Sequence, residues 1–333
     1  MDPQGLLVLA LMVLLALCFA FINGFHDAAN SIATIVSTGV LKPGKAVLLA
    51  ASFNFLAILF FQLNVAETIG EGIVQAQEID LFVISGALVA AISWGLITWY
   101  MGIPSSSSHA LIGGLIGATL AKAGTAPLIW SGIAKTAAFL IISPVLGLLL
   151  GSLLMLAMSW VAVGHSPARV DGWFRRLQLV SAAAYSLGHG GNDAQKTIGI
   201  LWLLLLTTGY STSSETVPNW AIISAYIAIA LGTLFGGWRI VRTLGQGITK
   251  LKPIGGFCAE TSGALTLYLA AALGAPVSST HTITGAIVGV GSARRSSAVR
   301  WGLAGRILWI WVMTIPGTAL IAAGVWWLTQ HYL

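Results

Sequence analysis

Charged residues are scarce in this sequence. Of its 333 residues only 8% are charged, 57% are apolar, and the mean hydropathy is +0.90. Soluble domains carry about 25% charged residues, so a chain with so few cannot cover a surface that faces water. This scarcity excludes a soluble globular protein. It predicts an all-α polytopic membrane protein whose surroundings are the lipid bilayer.

Cysteine is nearly absent as well, and the basic residues do not cluster. Cys18 and Cys258 both lie in or beside apolar segments, which excludes a disulfide framework. We therefore expect no structural metal and no cofactor. Lys and Arg are absent before Lys42, so the N-terminus lacks the basic start of a signal peptide. The net charge of +6 is spread over short loops, which indicates orientation signals and no nucleic-acid binding.

Long apolar runs are abundant instead. Most of them supply the roughly 20 helical residues that a bilayer crossing needs. The seven runs are Gly5–Ile22, Ala46–Ala66, Leu81–Tyr100, Thr136–Val163, Leu177–Leu206, Trp220–Trp238 and Ile307–Leu328. Together they support a polytopic membrane protein, and only Leu177–Leu206 contains charged residues, at Asp193 and Lys196.

Two sequence motifs occur twice. "GIPSSSSHALIGGLIG" at 102–117 is followed 172 residues later by "GAPVSSTHTITGAIVG", and "NGFHDAANSIA" at 23–33 resembles "HGGNDAQKTIG" at 189–199. Equivalent loops of the two halves carry opposite charge, so the halves should cross the membrane in opposite directions, with both termini outside the cytoplasm. The sequence predicts two inverted-topology repeats, 1–163 and 177–333, joined by a short cytoplasmic linker at 164–176. This organisation is typical of secondary transporters.

The serine motifs predict an anion site. Pro104 and Pro276 break a helix, and the helical segment that follows each of them is too short to cross the membrane. Each repeat should therefore carry a re-entrant helical hairpin with a Pro-x-Ser-Ser-Ser/Thr-His motif. Hydroxyls and free N–H groups at a helix start bind anions. The two copies would direct six hydroxyls at one tetrahedral oxyanion, those of Ser106, Ser107, Ser108, Ser278, Ser279 and Thr280. Ordinary hydroxyl bonding at a proline kink is the alternative, and the duplication argues against it.

Ionisable residues inside the apolar runs predict a cation site. Such groups cost about 2.5–3.5 kcal/mol each at mid-membrane, which favours a functional role. Asp27 is followed by Asn30, and Asp193 by Lys196, at the i+3 spacing that shares a helix face. Carboxylates with amides suit a proton or a monovalent cation, so the candidates are Asp27, Asn30, Asp193 and Glu260. Asp193 and Lys196 could instead form a simple buried ion pair. Secondary candidates are Asn23, His26, His109, His189, Lys196 and His281.

The motifs "GFHDAAN", "GGNDAQK", "PSSSSH" and "PVSSTH" closely resemble those of the inorganic phosphate transporter family, especially its compact bacterial low-affinity permeases. The resemblance covers essentially the whole chain. It implies a carrier that imports phosphate by symport with a cation, located in the plasma membrane of a bacterium (the inner membrane in a Gram-negative one). It also implies that Asn192 and Gln195 belong to the substrate site. His26 before Asp27 resembles the proton-coupled branch, so protons are favoured over sodium.

Several alternatives stay open. Phosphate near neutral pH carries a proton that a carboxylate can accept, whereas sulfate would be repelled, so a phosphate carrier is preferred to a sulfate permease. The phosphate could travel as a neutral complex with a divalent metal. An anion channel is the rival from another class. A serine hydrolase is disfavoured because a nucleophile needs one productive site, so no enzymatic activity is predicted. A homodimer remains open.

Overall fold

The chain is almost entirely helical in the computed structural model, which describes residues 3–75, 78–212 and 216–332. This confirms the all-α membrane fold. The α-helices are α1 (Pro3–Ser37), α2 (Pro43–Leu56), α3 (Asn64–Glu71), α4 (Leu81–Met101), α5 (Ser107–Ala123), α6 (Trp130–Ala162), α7 (Pro167–Thr207), α8 (Asn219–Phe235), α9 (Trp238–Arg242), α10 (Pro253–Ala272), α11 (Ser279–Arg294) and α12 (Trp301–Tyr332).

Four helices in the described residues are long and apolar enough to cross a bilayer by themselves. They are α1, α4, α6 and α12. Two more crossings arise if each bent pair of helices counts as one: α2 with α3, bent by 85°, and α8 with α9, bent by 62°. Six of the seven predicted apolar runs fall in these elements, and the seventh lies in α7.

The run Ala46–Ala66 does not form one straight helix. The chain leaves α2 after Leu56 and starts α3 at Asn64. The side chain of Gln195 on α7 stabilises this break, because its Oε1 accepts hydrogen bonds from Val65 N (2.9 Å) and Ala66 N (3.3 Å). These donors at a helix start have no partner within their own helix. Since the acceptor comes from a distant helix, the local sequence gave no sign of it.

Helices α1 and α7 are longer than their apolar runs. Their 35 and 41 residues extend about 53 Å and about 62 Å at 1.5 Å per residue. Asp27 therefore lies inside α1, beyond the end of the apolar run Gly5–Ile22. Helix α7 begins at Pro167, inside the segment 164–176 that was predicted as a linker, because proline suits the first turn of a helix.

The two serine motifs have the same local construction. Helices α4 and α10 are followed by Gly102 (φ 68°) and Gly274 (φ 62°), whose left-handed conformation reverses the chain. Helices α5 and α11 then begin, and they contain 17 and 16 residues. Both are shorter than the roughly 20 residues of a full crossing. Their length supports the predicted hairpins.

Each half packs its hairpin against the other half. Helix α5 contacts α12, and α11 contacts α6. A Cβ on Gly117 would lie 2.2 Å from Ala319 O, and a Cβ on Gly289 would lie 2.2 Å from Leu148 O, so glycine is what permits both contacts. Helix α1 likewise packs on α8, and α7 on α2. Every one of these contacts has a counterpart with the halves exchanged, which supports two repeats; their opposite orientation stays a prediction.

Candidate functional site

A buried polar cluster lies where the C-terminal halves of α1 and α7 meet the first residues of α5 and α11. Asp27 on α1 and Asp193 on α7 are 1% and 0% exposed. The hairpin helices contribute Ser107 and Ser279, which are the first residues of α5 and α11. The sequence predicted that these four residues share one site, and the fold brings them together.

Each carboxylate accepts a hydrogen bond from the first serine of a hairpin helix. Ser107 Oγ donates to Asp27 Oδ2 (3.4 Å), and Ser279 Oγ donates to Asp193 Oδ2 (3.3 Å). Each aspartate thus contacts the serine of its own half. Lys196 Nζ donates to Asp193 Oδ1 (2.7 Å) and to Ser107 Oγ (3.2 Å), so it connects the two halves.

Asn30 connects the two halves a second time, from the first half to the hairpin of the second. Its Nδ2 donates to Thr280 Oγ1 (2.8 Å) and to Ser279 Oγ (3.4 Å). Thr280 Oγ1 in turn lies 3.3 Å from Asp27 Oδ1 and donates to it. The residue three positions after each aspartate therefore reaches the hairpin of the opposite half. We call these seven residues the central ring: Asp27, Asn30, Ser107, Asp193, Lys196, Ser279 and Thr280.

Each aspartate also has a histidine beside it. His26 Nδ1 lies 2.7 Å from Asp27 Oδ1, and its Nε2 faces the hydroxyl of Thr98 at 3.1 Å. His189 Nε2 lies 3.4 Å from Asp193 Oδ2. One ligand atom each from Asp27, His189 and Asp193 lie within 4.8 Å of one another, a donor set that could hold a metal ion.

Glu260 lies in a separate pocket of donors. Its Oε1 accepts from Thr34 Oγ1 (2.5 Å) and Gln178 Nε2 (3.0 Å), and its Oε2 accepts from Ser181 Oγ (2.5 Å). The sequence identified Glu260 and missed its three partners. A signal was present for Ser181, which is a polar residue inside the apolar run Leu177–Leu206.

Three of the six predicted hydroxyls bond to backbone atoms. Ser106 Oγ accepts from His109 N (3.2 Å), and Ser278 Oγ accepts from His281 N (3.1 Å), so both cap the start of a hairpin helix. Ser108 Oγ donates to Val277 O at 2.7 Å. Ser107, Ser279 and Thr280 are thus the hydroxyls that contact the central ring's carboxylates.

Other predicted residues stand at the edge of the cluster. Asn192 Nδ2 donates to Leu267 O (3.2 Å), and Gln195 holds the start of α3 as described above. Asn23 is buried, and its amide atoms have no hydrogen-bond partner in the described part of the chain. The rings of His109 and His281 lie beside each other, with an angle of 35° between their planes and their centroids 4.5 Å apart, at the contact between the two hairpins.

The chain matches the Phosphate transporter family over residues 23–322, a range that includes the whole central ring. The chain belongs to the phosphate transporter family. It is 60% identical over 312 residues to a protein of Rhizobium meliloti named a "probable low-affinity inorganic phosphate transporter", covering 94% of this chain and 93% of the relative. A Bacillus subtilis protein of the same name is 44% identical, with 96% of both chains covered.

The fold of this phosphate transporter family member is also that of a solved relative. The structure of "the sodium-dependent phosphate transporter" superposes with a TM-score of 0.87 at 27% identity, covering 98% of this chain and 100% of the other. Proteins of the phosphate transporter family are transporters and not enzymes, which confirms the predicted absence of catalysis and the membrane location. The inner-membrane assignment and the orientation of the termini remain predictions.

Proposed function

We propose that the protein imports inorganic phosphate by symport with a cation, with protons favoured over sodium. The observation that supports this most is the central ring, where two buried carboxylates accept hydrogen bonds from the hydroxyls at two helix N-termini, the half-buried Ser107 and the buried Ser279. Helix starts and hydroxyls favour an anion, whereas the Asp27 carboxylate, which has no lysine or arginine partner in the described part of the chain, repels it. An anion can therefore occupy this space only when a cation is bound with it. That mutual requirement is what couples the two fluxes in a symporter.

The pair of His26 and Asp27 supports the proton as the coupling cation. Their 2.7 Å contact is buried on both sides, and a proton placed there neutralises the carboxylate without leaving a free charge in the membrane. The hydroxyl of Thr98 then receives or donates a hydrogen bond at the other ring nitrogen. Protonation of Asp27 removes the repulsion that opposes phosphate, so proton binding favours substrate binding.

The same arrangement supports phosphate over sulfate. Monohydrogen phosphate has an O–H that can donate to a carboxylate such as Asp27 or Asp193, whereas sulfate has acceptors only and meets the negative charge unrelieved. Sulfate transport remains the alternative cargo. A metal–phosphate complex is also compatible with the ring, because Asp27, His189 and Asp193 offer ligand atoms to a divalent cation that travels as cargo.

Sodium coupling is the second candidate. Asp27 and Asn30 offer the carboxylate and amide oxygens that a hard monovalent cation accepts, and the solved relative at TM-score 0.87 is described as sodium-dependent. Proton and sodium coupling use the same ring and differ in which ion crosses with phosphate. An anion channel would need neither a proton nor a sodium ion to cross with phosphate.

The test is to follow the cation directly during phosphate entry. Proteoliposomes with a trapped pH-sensitive dye are given external phosphate in a buffer without sodium. We expect the lumen to acidify with phosphate and to stay unchanged with sulfate. Absence of phosphate entry in this buffer, with entry restored by adding labelled sodium and accompanied by its uptake, would replace the proton with sodium. Entry that neither cation accompanies would favour the channel.

A further inference from the structure

The two halves of the central ring differ in charge at one equivalent position. Asp27 corresponds to Asp193 and Ser107 to Ser279, with the same residue type in both halves. Three residues after each aspartate the first half has Asn30 and the second half has Lys196. One half of the ring thus has a neutral amide where the other has a cation.

The ammonium of Lys196 is buried between a carboxylate and a hydroxyl oxygen. Its side chain is 0% exposed, and its Nζ lies 2.7 Å from Asp193 Oδ1 and 3.2 Å from Ser107 Oγ. A carboxylate and a hydroxyl oxygen at these distances are the neighbours that a desolvated cation needs. In the first half, Asn30 makes the equivalent contact to Ser279 through its amide. Asp27 has no lysine or arginine partner among the described residues and lies beside His26.

We infer that the Lys196 ammonium is a built-in cation that permanently fills the second half's coupling position. This inference rests on the proposed symport. Because the ammonium is tethered to α7, it neutralises Asp193 and favours the anion at Ser107, yet it cannot cross the membrane with the cargo. Each transport cycle then takes up one coupling cation fewer than a ring with an amide in both halves. The mobile cation binds in the first half, at Asp27.

A simple structural ion pair makes a different prediction. If Lys196 served only to neutralise Asp193, its removal would weaken folding or leave an inactive ring that no added ion repairs, because a buried charge without its partner is costly. If Lys196 replaces a mobile cation, a small cation from solution should take its place once the ammonium is removed. The substitution Lys196→Asn separates these cases, because it gives the second half the residue that the first half already has.

The experiment measures labelled phosphate uptake into proteoliposomes at a fixed proton gradient while sodium replaces choline. We expect wild-type uptake to be independent of sodium. Lys196→Asn should lose uptake in choline and regain it with sodium, with a rise on the order of tenfold or more. It should also carry labelled sodium together with phosphate. Lys135→Asn, an exposed lysine on α6 changed in the same way, should behave like wild type.

The outcomes separate the inference from the proposed function. Absence of phosphate uptake by wild type contradicts the proposed function. If wild type itself couples to sodium, Lys196→Asn should carry one more sodium per phosphate than wild type does. Unchanged cation dependence of uptake by the variant overturns the inference. Phosphate binding to the monodisperse variant is also measured in detergent, and binding that sodium does not strengthen overturns the inference as well. If Lys196→Asn does not fold, Lys196→Gln, which is uncharged and longer, is measured by the same criteria.

Discussion

At the scale of single residues, Asp27 is the group that we expect to carry the coupling charge. Asp27→Asn should abolish gradient-driven phosphate accumulation, because an amide can neither take up a proton nor neutralise a cation. Folding should survive, since the amide oxygen can still accept one of the two hydrogen bonds that Asp27 receives, from Ser107 at Oδ2 or from Thr280 at Oδ1. Uptake into proteoliposomes checks this, with Asp171→Asn as the control because the Asp171 side chain is 45% exposed and pairs with Arg175. Normal accumulation by Asp27→Asn would show that the cation binds elsewhere.

The hydroxyls of Ser107 and Ser279 are expected to contact the anion. Replacing both with alanine removes two donors from the ring, and each neutral hydrogen bond contributes about 0.5–1.5 kcal/mol. The apparent phosphate constant should therefore rise by about tenfold, as measured from the concentration dependence of uptake. Ser159→Ala is the matched control, because this exposed serine bonds only to Met155 O of its own helix. An unchanged constant in the double variant would place the anion away from the hairpin starts.

The sequence predicted the residues of the ring better than it predicted their individual contacts. Charges and repeated hydroxyls inside apolar runs identified Asp27, Asp193, Ser107 and Ser279, because such groups are costly in a membrane without a role. It could not separate Ser107, which faces the carboxylates, from Ser106, which caps its own helix. Neighbouring hydroxyls differ only in the direction of their side chains, and that direction follows from the helix start.

At the scale of helices, hydropathy predicted where apolar segments lie and missed where helices bend. The break after Leu56 depends on Gln195, a residue of another helix. The extension of α1 through Asp27 to Ser37 depends on neighbours that bury its polar half, since Asn23, Asp27 and Asn30 are all buried. Both features arise from tertiary contacts, which a pattern of local hydropathy does not contain.

Close packing of α1 on α8 gives a prediction at the same scale. A Cβ on Gly24 would lie 2.1 Å from Ile229 O, whereas a Cβ on Gly324 of α12 would meet no atom within 4 Å. Gly24→Ala should therefore force the two helices apart and destabilise the fold by about 1–3 kcal/mol. Gly324→Ala should leave stability near that of wild type. Thermal unfolding in detergent compares the two, and equal midpoints would contradict the predicted contact.

At the scale of the whole molecule, both halves build one site. The ring takes its carboxylates from α1 and α7 and its hydroxyls from α5 and α11, so a relative movement of the halves changes access to every member at once. Alternating access by opposed repeats needs this arrangement. We propose that the repeats are inverted, with both termini outside the cytoplasm. Assembly as a homodimer stays a prediction.

The measurement that tests the central claim most directly is concentrative uptake of labelled phosphate into proteoliposomes under an imposed proton gradient. The same preparation is then measured under a sodium gradient and with excess unlabelled sulfate. We predict accumulation that the proton gradient drives and that sulfate leaves unchanged. Accumulation driven by sodium alone would contradict the coupling ion, and loss of the signal to sulfate would contradict the cargo. Equilibration without accumulation under either gradient would contradict symport itself.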